Sequence, residues 1–187
     1  MLEKYEHKPI NEIRRKDRAK DETWIKEYLT TAPFAAIATL HGEQPFINQN
    51  IFFYDDENNC IYFHTAKEGR LRYNVEHQTK VCLSIGEMGR LLPAEVALEF
   101  SVEYKSVVVF GKVEVIEDEE KAKSALQKLM NKYFPDHIPG KDYREIVSEE
   151  IKRTAVYKIS IEHLSGKEKK VDENFPGAFY YKYSEQK

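Results

Sequence analysis

The spacing of apolar side chains divides the chain into helical and extended stretches. Trp24, Ile25, Tyr28 and Leu29 fall at i, i+1, i+4 and i+5, so residues 21–31 are predicted helical, with Asp21 as cap and Pro33 as stop. Phe34 to Leu40 is a nearly continuous apolar run, as expected for a strand covered on both faces. His41 to Gln44 reads as a turn, 45–54 as a strand, Asp55 to Asn59 as a second turn, and Cys60 to His64 as a third strand. Together they predict a three-stranded meander. A short helix is expected at 66–76. Residues 79–86 set Val81, Leu83 and Ile85 against Lys80, Cys82 and Ser84, the alternation of a half-buried strand. Residues 87–102 have no clear period and read as a loop. The longest strand signal is 103–117, with Val107, Val109, Val113 and Val115 on one side and Gly111 interrupting it as a bulge or bend. The clearest helix is 118–133, where Ala122, Ala125, Leu126, Leu129, Met130 and Tyr133 repeat at helical spacing and Pro135 stops it. A shorter helix is expected at 142–150 and a last strand at 153–163.

Around these elements, residues 1–20 form a charged arm containing Arg14-Arg15-Lys16-Asp17-Arg18. Residues 164–187 form a tail that is charged and then aromatic, with Phe175, Phe179, Tyr180, Tyr181 and Tyr183. One domain is expected at 21–163. Six strands joined by tight turns argue for antiparallel pairing, and a closed or nearly closed small barrel removes the edges. A length of 187 residues suits one domain. With 33% charged residues and a net charge of -3, bulk electrostatics gives no reason to expect nucleic acid. With 41% hydrophobic and 12% aromatic residues, the chain is not disordered. No run reaches the roughly 18 apolar residues of a membrane helix, so no membrane is expected. The first twenty residues lack the apolar core of a signal peptide. Cys60 and Cys82 sit in strand-like runs and read as buried free thiols, which suggests the reducing cytoplasm. The histidines show no metal-ligand spacing, no nucleophile motif or glycine-rich phosphate loop is visible, and no residue stands out as catalytic.

Two segments can carry chemistry. Asn48-Gln49-Asn50 lies in the middle of a strand, where Asn is depleted. Buried amides there need partners, which a planar heterocycle rich in donors and acceptors would supply; the same side chains also suit a solvated strand face. Phe63 to Arg70 runs off a strand into a helix. A helix N-terminus presents free N–H groups to a phosphate, with Arg70, Lys67 and Arg72 as cations nearby. Thr65-x-x-Glu68 is equally a capping box that needs no ligand. His64, at the strand end, reads as a structural histidine or as a donor to a ligand.

The arm RRKDR, then FAAIATLHGEQPF, IFFYDDENNCIYFHTAKEGRL and YKSVVVFGKVEVIEDEEKAKSALQKLM resemble, in that order, the FMN-binding split-barrel proteins related to pyridoxamine 5′-phosphate oxidase. Within them the chain looks most like the nitroimidazole-resistance (Nim) branch. The resemblance covers roughly residues 12–163. It implies a mainly β fold with flanking helices: a six-stranded antiparallel split β-barrel that forms a homodimer with FMN at the interface. It places residues 47–53, here with Asn48, Gln49, Asn50 and Ile51, along the isoalloxazine ring. His64, Thr65 and Ala66 through Gly69, Arg70 and Leu71 would hold the phosphate. Tyr104-Lys105-Ser106 would approach the flavin from the other subunit, with Ser106 as the contact. Relatives often have an apolar-Pro-apolar sequence where this chain has Asn48-Gln49-Asn50. The oxidase proper has basic phosphate contacts matching Asn48 and Leu71, so Arg70 is left as the main cation, and pyridoxamine phosphate oxidation is not implied. The expected activity is an FMN-dependent redox reaction on a small molecule such as a nitroaromatic compound. The alternatives are a non-catalytic flavin-binding protein and a split barrel that binds haem or a deazaflavin.

Overall fold

The computed structural model describes residues 6–182, so Tyr183 of the aromatic tail and the first five residues of the arm lie outside the described residues. The elements are α1 (Glu22–Thr31), β1 (Ala35–His41), β2 (Gln44–Asn50), β3 (Phe53–Asp55), β4 (Cys60–Ala66), α2 (Arg70–His77), β5 (Lys80–Leu92), β6 (Ser101–Val115), α3 (Glu119–Tyr133), α4 (Ser148–Ile151), β7 (Thr154–Lys169) and β8 (Phe179–Tyr180). The fold is mainly β with flanking helices. All the strands belong to one antiparallel sheet in the order β2-β1-β5-β6-β7-β4-β3, with β8 added to β5.

The sheet has eight strands, where six were expected, and strand pairing does not close it. The expected three-stranded meander is absent, because the run 45–54 breaks at Ile51-Phe52. β2 and β3 lie at opposite ends of the sheet, so these two residues cross from one edge to the other. The break has a physical cause. The Phe52 side chain is fully buried, and its backbone is held by α3 in place of a ladder partner. Phe52 N–H donates to the Tyr133 hydroxyl at 3.1 Å, and Lys132 Nζ donates to the Phe52 carbonyl at 3.0 Å.

The core lies on the inner side of the curved sheet. Ile37, Leu83, Val107, Val109 and Val113 meet Phe52, Ile61, Phe63, Tyr157 and Ile159 there. Full burial of each large side chain contributes about 1.5–3 kcal/mol. α1 caps one end with Ile25 and Leu29, and Asp21 accepts from Trp24 N–H at 2.9 Å, as its capping role predicts. Gly166 makes room for this helix: a Cβ there would stand 2.4 Å from Ile25 Cγ1. α3 lies on the opposite face of β4 and β7, where Ala122 and Ala125 pack on Val156.

Other expectations shift by a few residues or by an element. Residues 87–92 continue β5, so the loop expected at 87–102 shrinks to the segment around the 3-10 turn Ala97–Glu99. β7 is the longest strand, running six residues past 163, because its polar second half pairs with β6 from Tyr104 to Phe110. The helix expected at 142–150 is only α4. β1 is buried on one face alone: Ala35, Ile37 and Thr39 point inward, and Ala36, Ala38 and Leu40 are half-buried on the outer face. The bulge at Gly111 is present as a register shift against β7. The arm lies on β7, with Lys20 N–H donating to the Gly166 carbonyl at 3.0 Å. The chain just past β7 is latched by the Arg90–Glu103 ion pair of β5 and β6, with Val171 N–H donating to Glu103 at 2.9 Å. Cys60 and Cys82 are free thiols, and burial raises the pKa of both.

Candidate functional site

The unpaired seam between the two sheet edges is where the chemistry-bearing segments meet. β2 alternates: Asn48 and Asn50 lie beside Ile37 and Ala35 on the inner side, and Gln49 faces outward and is exposed. Asn50 Nδ2 donates to the His64 carbonyl at 3.1 Å and so bridges the seam from β2 to β4. The partner expected from a ligand is therefore supplied to Asn50 by the protein. Asn48 is half-buried with no hydrogen-bonding side-chain partner among the described residues.

Beyond His64, β4 runs on to Ala66, and this rules out the capping box. The Thr65 hydroxyl lies 3.1 Å from the Tyr157 hydroxyl and donates to the Ala66 carbonyl at 2.8 Å, with Tyr157 stacked on Phe63 beneath it. α2 starts four residues later than the expected 66. Its N-cap is Gly69, at φ +142°, where L side chains are strained. Gly69 offers no side-chain cap, so the N–H groups of Arg70, Leu71 and Arg72 have no partner from the helix itself. The Leu71 side chain is buried in the core, which leaves only its backbone for a ligand.

Among the cations, Arg72 is taken by Glu76 at 2.6 Å and Glu117 at 3.4 Å. Arg70 has no carboxylate partner among the described residues. Its Nη1 lies 3.1 Å from Nε2 of His41, the last residue of β1. His41, which the sequence marks only as a turn residue, thus belongs to this site. His64 Nδ1 is buried without a partner, and burial lowers the imidazole's pKa, which favours the neutral ring. The arrangement is a half-built cradle: an uncapped helix start, a guanidinium without a carboxylate partner, an orphaned imidazole nitrogen and the amides of β2.

Ser106 is not brought to this cradle within one chain. It lies on β6 opposite Gly86 and Lys167, with β1 and β5 between it and β2. Two residues the sequence reading missed also border the seam. Besides Phe52, Lys132 Nζ donates to the Ala32 carbonyl at 2.8 Å, and burial lowers its pKa to about 8. The Tyr133 hydroxyl donates to the Pro33 carbonyl at 2.8 Å. No local signal marks them, since both act on residues about eighty or more positions away. Among the described residues no His, Cys, Asp or Glu group could hold a metal ion, and no helix is long and apolar enough to cross a membrane.

The family model of pyridoxamine 5′-phosphate oxidase matches residues 21–168. No curated protein matches the chain. Among solved structures, the flavocytochrome Anf3 from Azotobacter vinelandii is 26% identical with a TM-score of 0.77, over 94% of this chain and 86% of that one. A candidate 5-nitroimidazole antibiotic resistance protein from Bacteroides thetaiotaomicron is 23% identical with a TM-score of 0.65, over 79% and 84%. The FAD and heme binding protein from Mycobacterium smegmatis is 20% identical with a TM-score of 0.70, over 81% and 73%. The last two likenesses, at lower identity, concern the fold alone.

Proposed function

Because the chain belongs to the pyridoxamine 5′-phosphate oxidase family, we propose that it is a flavoprotein that holds an FMN unit in the seam between β2 and β4. The observation that carries this reading is the meeting, in one place, of the β2 amides and an uncapped helix start with an arginine that has no carboxylate partner among the described residues. The residues fit such a group. A phosphate supplies acceptors for the free N–H groups of Arg70, Leu71 and Arg72 and a counter-charge for the Arg70 guanidinium. No side chain blocks its approach at Gly69, where an added Cβ would meet nothing within 4 Å. His64 Nδ1 and Asn48 are free to hydrogen-bond a polar heterocycle.

When bound, the flavin supplies the electron chemistry, and the protein's part is binding, orientation and electrostatics. Backbone and amide donors along 48–51 would favour charge on the ring edge. The reading extends to an oxidoreductase acting on a small molecule, a nitroaromatic compound among the candidates. It also extends to a homodimer in which Ser106 of the partner subunit completes the site. Three observations support the dimer. The outward faces of β1, β5 and β6 align as Ala36, Ser84 and Val108, and as Ala38, Cys82 and Phe110. None of these six side chains is fully buried within one chain. Phe34 and Ile47 on the same side are largely exposed.

The phosphate assignment is tested by titrating FMN into the apoprotein and its Arg70→Ala variant. The variant should bind more weakly by about 1.5–3 kcal/mol, the worth of a charge-assisted hydrogen bond. Unchanged affinity removes Arg70 from the site. Oxidation of a reduced nicotinamide cofactor in the presence of a nitro compound separates an enzyme from a flavin carrier.

A further inference from the structure

The outward face of the sheet carries a group of cations at one end. Strand partners share a face, so Tyr104 lies beside Lys169 and Ser106 beside Lys167 on that side of β6 and β7. The arm brings Arg18 to them. Ala19 bridges to Lys167, and Arg18 Nη1 donates to the Tyr104 hydroxyl at 3.3 Å, with its guanidinium 5.9 Å from that ring centre. All five side chains are half-buried. The neighbouring carboxylates are occupied elsewhere. Glu103 and Glu168 alternate to the opposite face, where Arg90 holds the first at 2.8 Å and Lys20 the second at 2.6 Å. Asp17 is held through both oxygens by Arg15, at 2.7 and 2.5 Å, and stands 3.9 Å from Arg18. Among the described residues Lys167 and Lys169 have no carboxylate partner, and Lys169 donates to the Ser101 hydroxyl at 2.5 Å.

The arrangement has the size and the donors of an anion site. Residues two apart on a strand stand about 6.8 Å apart and cross-strand neighbours about 5 Å, so the four strand side chains rise from the corners of a small rectangle. Two corners carry ammonium groups, two carry hydroxyls, and the guanidinium closes one end. The Tyr104 hydroxyl accepts from Arg18, so its own proton is available to an acceptor. Ser106 Oγ makes no hydrogen bond among the described residues. Three like charges at this spacing repel one another, and an anion among them relieves the repulsion while accepting from both hydroxyls. Beside the rectangle the surface is bare. Gly86 is the β5 partner of Ser106, and an added Cβ there would meet only the Lys105 carbonyl oxygen, at 3.6 Å. A flat ring can lie on the backbone at Gly86 with an acidic group reaching toward Lys167.

We infer that Arg18, Tyr104, Ser106, Lys167 and Lys169 form an anion site that seats the carboxylate of a small planar acid against the flavin ring. The inference rests on the flavin and dimer reading above and adds an acidic substrate class to it, with no new chemical step. In that reading Ser106 of one protomer approaches the flavin held by the other, so one chain holds the cofactor and its partner anchors the acid. The site is separate from the phosphate cradle, since β1 and β5 lie between Ser106 and β2 within one chain.

The test is calorimetric titration of the FMN-loaded protein, with the flavin oxidised, against 4-nitrobenzoate and the uncharged 4-nitrobenzyl alcohol, with the flavin's visible spectrum recorded alongside. FMN fills the α2 start in this form, which closes that second anion site to the probe. Wild-type protein should bind the acid about tenfold more tightly than the alcohol, the lower end of what a charge-assisted hydrogen bond supplies, and the acid should shift the flavin bands. Lys167→Gln and Arg18→Gln should each lower that ratio by about threefold or more. Tyr104→Phe removes only a hydroxyl and should lower it less. Lys167→Arg keeps the charge and should keep the preference. Equal affinity for acid and alcohol in the wild type, or a preference that survives both glutamine variants, overturns the anion site and leaves the flavin reading standing. An acid that binds with the preference but leaves the flavin bands unmoved overturns its place against the ring. A protein that takes up no FMN overturns the flavin reading and this inference with it.

Discussion

Asn48 and Asn50 share a face of β2 but have different surroundings. Asn50 spans the seam to the His64 carbonyl, while Asn48 has no such partner. Asn50→Val should therefore lower stability in urea by about 0.5–1.5 kcal/mol, the net worth of one hydrogen bond. Asn48→Val should leave stability unchanged and shift flavin affinity or midpoint potential. A larger stability loss at Asn48 would reverse these roles. Lys132 makes a second prediction at this scale. Burial holds its folded pKa at about 8, below the ordinary 10.5, with no carboxylate on the amine. Between those two values the unfolded chain retains a proton that the folded chain has released, so this residue's contribution to stability rises with pH across that window. Wild-type stability measured against Lys132→Met should thus improve on going from pH about 7 to about 10. A flat or falling difference contradicts a desolvated amine without a carboxylate partner. Arg70 was legible in the sequence because charge and helix position are local facts. His41, Lys132 and Tyr133 were not, because their partners are brought to them by the folded chain.

At the scale of elements, patterns held where one force decides and failed where two distant parts meet. Helices α1 and α3 were readable from apolar spacing, and both Asp21, expected as a cap, and Asp118 make the capping bond. The interruption at Gly111 was readable because a glycine in a valine-rich run has a steric reason. A Cβ there would stand 2.2 Å from the Ser160 carbonyl oxygen. Gly111→Ala should therefore cost about 1–3 kcal/mol in chemical denaturation, as overpacking does. At Gly86 the nearest atom to an added Cβ is 3.6 Å away, so Gly86→Ala should change stability by less than about 0.5 kcal/mol. Equal costs at the two glycines would show that close approach is not what selects Gly111. The break between β2 and β3 was hidden because the groups that hold Phe52 come from α3. The capping box at Thr65 was misleading for a similar reason. Tyr157, ninety-two residues on, engages the threonine hydroxyl and β4 extends past it.

At the scale of the molecule, one sheet is wrapped around one core but left open along a seam, with a half-built cradle there and a partly apolar outer face on β1, β5 and β6. In the proposed reading a flavin would complete the cradle, and a second copy would cover the face and bring its Ser106 toward the ring. Antiparallel strands, the helices α1 and α3 and the cradle segments were legible from pattern and resemblance. The seam was not, because closure is a property of the whole sheet. The central claim, a flavin held by a dimer, meets its most direct test in sedimentation velocity of the reconstituted protein followed at the flavin's visible absorption. The flavin signal should travel with a species containing two copies of the 22.0 kDa chain. Flavin absorbance that stays behind as free cofactor, or that travels with a single chain, contradicts the account.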